Sequence, residues 1–137
     1  MELGLKDKVV MVAASSKGLG YGIARQAALE GAKLSIGSRH MKNIEAAVKG
    51  LKSEVPDVEV YASALDVADP ISIESWVSNT RKAFGTIDKL VVNGGGPPPG
   101  TFEDIDDLSW HTGYENTLMS AVRLIREVLP EMRRKRS

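Results

Sequence analysis

Short, uninterrupted runs of β-branched and apolar residues alternate with longer stretches of helical spacing along the chain. The first run, 9–13, reads Val-Val-Met-Val-Ala. A run without polar alternation predicts a parallel strand covered on both faces. Ile23, Ala24, Ala27 and Ala28 then recur at helical spacing until Gly31 stops the helix. A second strand is predicted over 33–37 and a second helix over about 42–51, with Ile44, Ala47, Val48 and Leu51 on one face.

Pro56-Asp57 punctuates the pattern, and 58–62 predicts a third strand. Asp69-Pro70 opens a helix carrying Ile73, Trp76, Val77 and Phe84, with Pro70 suited to its first turn. A fourth strand is predicted over 89–92. The loop at 93–100, Asn-Gly-Gly-Gly-Pro-Pro-Pro-Gly, can hold neither helix nor ladder strand. An acidic stretch (Glu103, Asp104, Asp106, Asp107) precedes a last helix predicted over about 109–134.

Tyr114, Leu118, Ala121, Ile125, Val128 and Met132 fall on one face of that helix. Val122, Leu124 and Leu129 widen the arc beyond the usual ~100° stripe, so packing on two sides is expected. Pro130 is expected to bend it. Four strands with helical crossovers predict an α/β, doubly wound parallel sheet in the order 3-2-1-4.

Composition narrows the function classes. The 137 residues carry 18 basic and 18 acidic side chains, so no overall field draws the chain to nucleic acid or membrane. No cysteine is present, which excludes disulfides, thiolate metal sites and cysteine nucleophiles within these residues. The apolar run 9–14 is too short to span a bilayer, and Glu2 and Asp7 do not fit a signal peptide. A cytoplasmic protein is the expectation. His40 and His111 lack partners at ligand spacing, so no metal is expected. The cations Arg133, Arg134, Lys135 and Arg136 suit a helix C-terminus better than a nucleic-acid patch.

The sharpest local signal follows the first strand: Ala13-Ala14-Ser15-Ser16-Lys17-Gly18-Leu19-Gly20. A strand feeding a Gly-rich turn that opens a helix aims backbone N–H groups and the positive helix end at an anion. The general dinucleotide fingerprint Gly-x-Gly-x-x-Gly is not met, since Ile23 stands three after Gly20. A plain tight turn would use the same glycines. The second strand ends in Ser38-Arg39, where dinucleotide sites choose between a ribose hydroxyl and a 2′-phosphate. Arg39 and Lys17 taken singly read as solvated surface charges. Taken together they favour a phosphate, hence NADP over NAD.

These residues resemble the short-chain dehydrogenase/reductase family. Ala13 to Gly20 matches the spacing of its Thr-Gly-x-x-x-Gly-x-Gly turn, with Ala13-Ala14 in place of Thr-Gly. Asp66-Val67 matches the family's adenine-facing pair, and Val92-Asn93-Gly94-Gly95 falls on its Asn-Asn-Ala-Gly motif. Asn116 matches the helix Asn of the Asn-Ser-Tyr-Lys catalytic set, although periodicity alone would leave its side chain in solvent, opposite Leu118 and Ile125. The resemblance thus assigns Ala14, Ser15, Ser16, Lys17, Gly18, Leu19, Gly20, Ser38, Arg39, Asp66, Val67, Asn93, Gly94 and Gly95 to the cofactor and Asn116 to catalysis.

Departures matter too. Ala14 puts a methyl where the turn wants glycine, and Val92 loses a polar side chain that would tie strands together. The loop of Gly94, Gly95, Gly96, Pro97, Pro98 and Pro99 reads either as a stiff solvent-facing connection or as a substrate wall. The resemblance implies NADP(H)-dependent hydride exchange with a small carbonyl or alcohol substrate, in a homo-oligomer (tetramer or dimer). Its proton-donating Tyr-x-x-x-Lys pair does not occur: Tyr21, Tyr61 and Tyr114 are followed four residues on by Arg25, Leu65 and Leu118. The expectation is therefore that residues 1–137 form the N-terminal portion of one NAD(P)-binding Rossmann domain, inactive by itself. A non-enzymatic nucleotide-binding or interaction module on the same half-fold is the alternative.

Overall fold

The computed structural model describes residues 2–94 and 99–136. Strands β1 (Val9–Val12), β2 (Lys33–Ser38), β3 (Val60–Ala64) and β4 (Lys89–Val91) pair in parallel, in the order β3-β2-β1-β4. Helices α1 (Gly18–Leu29), α2 (Met41–Glu54) and α3 (Pro70–Phe84) connect them, and α4 (Asp107–Tyr114) and α5 (Ser120–Lys135) follow β4. This is the doubly wound order that the alternation of runs predicts. β3 starts later than expected, because Val58 is held in a turn by its N–H bond to the Val55 carbonyl at 3.0 Å.

β1 lies between β2 and β4, and all four of its residues are buried. Successive side chains of a strand point to opposite faces. Val10 and Val12 therefore join a core with Ala24, Leu34, Ile36 and Leu51, under α1 and α2. Met11 and Ala13 join a second core with Ile73, Trp76, Leu124 and Val128, under α3 and α5. Each large aliphatic side chain so buried contributes about 1.5–3 kcal/mol. Two dry faces explain why the first run has no polar interruption.

The end of α5 is fixed to the α3–β4 corner by charge. Glu131 accepts the Ile87 N–H at 2.8 Å and pairs with Arg81 at 3.3 Å, while Arg81 donates to the Glu127 carbonyl at 2.9 Å. Lys135 pairs with Asp88 and hydrogen-bonds Thr86. The other Asp88 oxygen accepts the Val9 N–H at 2.9 Å, which ties the start of β1 to the same corner.

The last helix departs from its expected form. α4 and α5 are joined through a π-helical turn at Glu115–Met119. An i→i+5 turn inserts one residue and so rotates everything upstream by about 100° relative to a uniform α-helix. Tyr114 and Leu118, expected on the buried stripe, are 50% and 53% exposed. Asn116, expected in solvent, is half-buried and faces a cleft instead. Downstream, Leu124 and Val128 are buried, whereas Ile125 and Leu129 flank a groove beside the outer edge of β4. α5 accommodates Pro130 and continues to Lys135.

Candidate functional site

The turn between β1 and α1 is built on two left-handed residues, Ala14 (φ 49°) and Gly18 (φ 58°). Glycine accepts that conformation freely, whereas a residue with a Cβ is strained there by roughly 1–2 kcal/mol. Gly20 is required for a different reason. A Cβ at Gly20 would lie 2.2 Å from the Ala14 carbonyl oxygen and 2.7 Å from Asn93 Nδ2. The first turn of α1 thus passes directly against the backbone of the loop that precedes it.

Asn93, just past β4, locks this contact. Its amide donates to the carbonyls of Ala13 at 3.2 Å and Ala14 at 3.1 Å. The tie that Val92 cannot supply is therefore made by its neighbour, since Val92 is exposed. Ser15 locks the other side. Its buried hydroxyl donates to the Val12 carbonyl at 2.7 Å and accepts the Gly37 N–H at 3.2 Å. Ser15 and Asn93 hold the turn in place while their polar groups point into the protein.

A cleft of about 310 Å³ opens in front of this turn, at the carboxyl ends of the strands. Ala14, Ser16 and Lys17 form one wall, and Ser38, Arg39, His40 and Asn43 form the next. A hydrogen bond from Ser16 Oγ to Ser38 Oγ at 2.8 Å joins the two walls. Leu65, Asp66 and Val67, after β3, close a third side, and Asn116 faces in from the π turn. The Asp66 carboxylate accepts the Ala68 N–H at 3.0 Å, which gives this corner a fixed loop.

Cations outnumber acids in the cleft, with Lys17 and Arg39 against Asp66. Lys17 and Arg39 are both exposed at its rim. Lys17 and His40 occupy the N-cap positions of α1 and α2, and among the described residues neither helix has a side-chain capping bond or an acidic residue in its first turn. α3 and α4, by contrast, start from Asp69 and Asp106, whose carboxylates accept the N–H groups of Ile71 and Ser109. The Ser109 hydroxyl and N–H hold the Asp106 carboxyl below its ordinary value. Helix N-termini carry partial positive charge and unpaired N–H groups. The two helices that start at the cleft thus lack the anionic cap that α3 and α4 have.

Of the residues singled out from the sequence, Ala14, Ser16, Lys17, Ser38, Arg39, Asp66, Val67 and Asn116 meet in this cleft. Gly18 and Gly20 shape the turn behind it, with Ser15 and Asn93 as its ties. Leu19 is 73% exposed and does not line the cleft. Gly94 passes the π turn, where a Cβ would stand 3.6 Å from the Asn116 carbonyl. Gly95, with most of the Gly-Pro loop, lies outside the described residues. Three cleft residues escaped sequence reasoning: His40, Asn43 and Leu65. Adjacency to Arg39 and Asp66 was the available signal for His40 and Leu65, while Asn43 enters only because α2 begins at Met41.

The comparisons with known proteins agree with this geometry. Residues 8–137 match the short chain dehydrogenase family. The chain is 32% identical over 132 residues to YvaG, an uncharacterized oxidoreductase of Bacillus subtilis, covering 96% of this chain and 48% of that protein. L-Sorbose reductase from Gluconobacter frateurii, solved with NADPH and L-sorbose, matches with a TM-score of 0.92 at 35% identity, over 98% of this chain and 51% of that one. An alcohol dehydrogenase from the archaeon Thermococcus sibiricus, solved with 5-hydroxy-NADP, matches with a TM-score of 0.88 at 29% identity, over 94% and 55%. The chain spans about half the length of the curated relatives it matches. Among the described residues, no helix is long and apolar enough to cross a membrane. Four parallel strands in doubly wound order, the glycine turn at their carboxyl ends and a family match from residue 8 onward agree on one assignment: the chain belongs to the short-chain dehydrogenase family.

Proposed function

We propose that these residues form the cofactor-binding part of an NADP(H)-dependent oxidoreductase acting on a small carbonyl or alcohol substrate. One observation carries the reading: the glycine turn, two rim cations and two helix ends without anionic caps converge on one cleft. The fit to a dinucleotide is physical. The space that a Cβ would fill at Gly20 is already taken by backbone, so α1 starts tight against the loop, and its N-cap residue Lys17 lines the cleft.

In this reading Ser16, Lys17, Gly18, Leu19 and Gly20 hold the pyrophosphate through backbone N–H groups and the Lys17 charge. Arg39, with Ser38, meets the 2′-phosphate, for which a guanidinium is well matched. Asp66 and Val67 border the adenine. Asn93 and Gly94 border the ribose–nicotinamide, while Ala14 and Ser15 serve the cofactor through the turn that Ser15 and Asn93 hold. Asn116, which faces the cleft, is assigned to orienting groups of the catalytic set. When bound, the nicotinamide supplies hydride exchange. NADPH in L-sorbose reductase, at 35% identity, supports the cofactor assignment.

A Tyr-x-x-x-Lys pair is absent from these 137 residues, so the chain itself is proposed to bind cofactor without turning over substrate. The exposed apolar side chains Trp110, Tyr114, Leu118, Ile125 and Leu129 support a homo-oligomer in the whole protein. Calorimetric titration of the chain with NADPH and NADH tests the reading. NADPH binding at least tenfold tighter than NADH is expected, together with no NADPH oxidation over a panel of ketones and aldehydes. Equal binding of both nucleotides defeats the NADP assignment, and steady turnover defeats the division of labour.

A further inference from the structure

Resting on the dinucleotide reading above, we propose that His40 and Asn43 complete the recognition of the 2′-phosphate and so set how strongly NADP(H) is preferred over NAD(H). Both line the cleft beside Arg39, Ser38 and Lys17. They are the N-cap and third residue of α2, three apart, so their side chains stand over the same helix end. Neither is engaged by that helix as a cap. His40 has extended backbone (φ −116°, ψ 119°), and its ring makes no capping bond among the described residues.

The chemistry divides naturally among these groups. Lys17 and Arg39 supply charge from the rim, which also attracts the pyrophosphate and any other anion. A ring N–H from His40 and an amide N–H from Asn43 supply directed donors. Both act at the positive end of α2, whose first turn holds no acidic residue. A phosphate there has the acceptor oxygens and negative charge that this end lacks. The neutral 2′-hydroxyl of NAD gains little from the same donors. Of the residues lining the cleft, Asp66 alone is acidic, and it belongs to the β3–α3 side rather than to α2.

The test is calorimetric titration of the chain and of His40→Ala, Asn43→Ala and His40→Ala/Asn43→Ala with NADPH and, separately, NADH. The double variant is expected to bind NADPH about tenfold more weakly, the loss of a hydrogen bond to a charged group, with NADH affinity unchanged. His40→Gln, which keeps a donor, should recover part of the loss. Asn43→Asp separates binding from folding. An acidic residue in the first turn favours the helix, so its melting temperature should hold or rise while NADPH binding falls. Parent-like NADPH affinity in the double variant, or equal losses for NADPH and NADH, overturns the proposal and leaves the dinucleotide site standing. Failure of the parent chain to bind either nucleotide overturns both.

Discussion

The Asn93 side-chain amide donates to the Ala14 carbonyl at 3.1 Å, across 79 positions of sequence, while Ala14 itself sits at a left-handed φ of 49°. A strained residue is held in place by a distant hydrogen bond. The site is therefore assembled under load, and the two residues can be perturbed in opposite directions.

Ala14→Gly should stabilise the protein. Removing the Cβ relieves roughly 1–2 kcal/mol of left-handed strain and gives back part of it through the freer unfolded chain, leaving a net gain of about 0.5–1 kcal/mol. Asn93→Ala should cost about 1–3 kcal/mol, because two carbonyls lose a shared donor in a half-buried position. Urea melts of both variants measure this. A destabilised Ala14→Gly would show that the strain is not real.

Gly20→Ala should disrupt the turn. Its methyl would meet the Ala14 carbonyl oxygen at 2.2 Å and Asn93 Nδ2 at 2.7 Å, and neither backbone nor a doubly bonded amide can yield cheaply. A loss of at least about 2 kcal/mol and of detectable NADPH binding is expected, by analogy with overpacked cores. Parent-like calorimetry on this variant contradicts the close-approach role.

Arg39→Asp should invert the cofactor preference. The carboxylate can accept a ribose hydroxyl but repels a 2′-phosphate. NADPH binding should weaken by about tenfold or more and NADH binding should improve, read by competitive titration. Unchanged NADPH affinity would remove Arg39 from the site.

Acid should loosen the α5 strap through Asp88, which is only 8% exposed. Burial alone would push its carboxyl up, but hydrogen bonds from Lys135 and the Val9 N–H, with the charges of Lys135 and Lys8, outweigh it and hold the carboxyl below its ordinary 3.8. Because the folded value lies below the unfolded one, this stabilisation is complete above about pH 4 and is lost as pH falls through the folded value. Asp88→Asn should lower the melting temperature at pH 7, with the gap to the parent closing as pH falls through the folded value of Asp88. A gap that persists in acid would assign the loss to packing.

Much of the architecture was readable along the chain. The uninterrupted run at 9–12 needs two dry faces, and alternation with helices leaves few ways to satisfy it. The glycine turn and Arg39 were readable because they lie at strand ends, where a parallel sheet must gather its loops. Helix faces near residue 116 were not, because uniform periodicity cannot register the extra residue of a π turn.

By itself the sequence determined the strand order, the position of the glycine turn and the sign of the charges near it, since these follow from local pattern and short-range sterics. Tertiary structure decided that Asn116 faces the cleft rather than solvent, that Asn93 ties the turn across the sheet, and that His40 and Asn43 join Arg39. It also decided that Lys135 closes on Asp88, 47 positions away. Each of these depends on helix phase or on contact between segments far apart in sequence, and neither is encoded in any one stretch of residues.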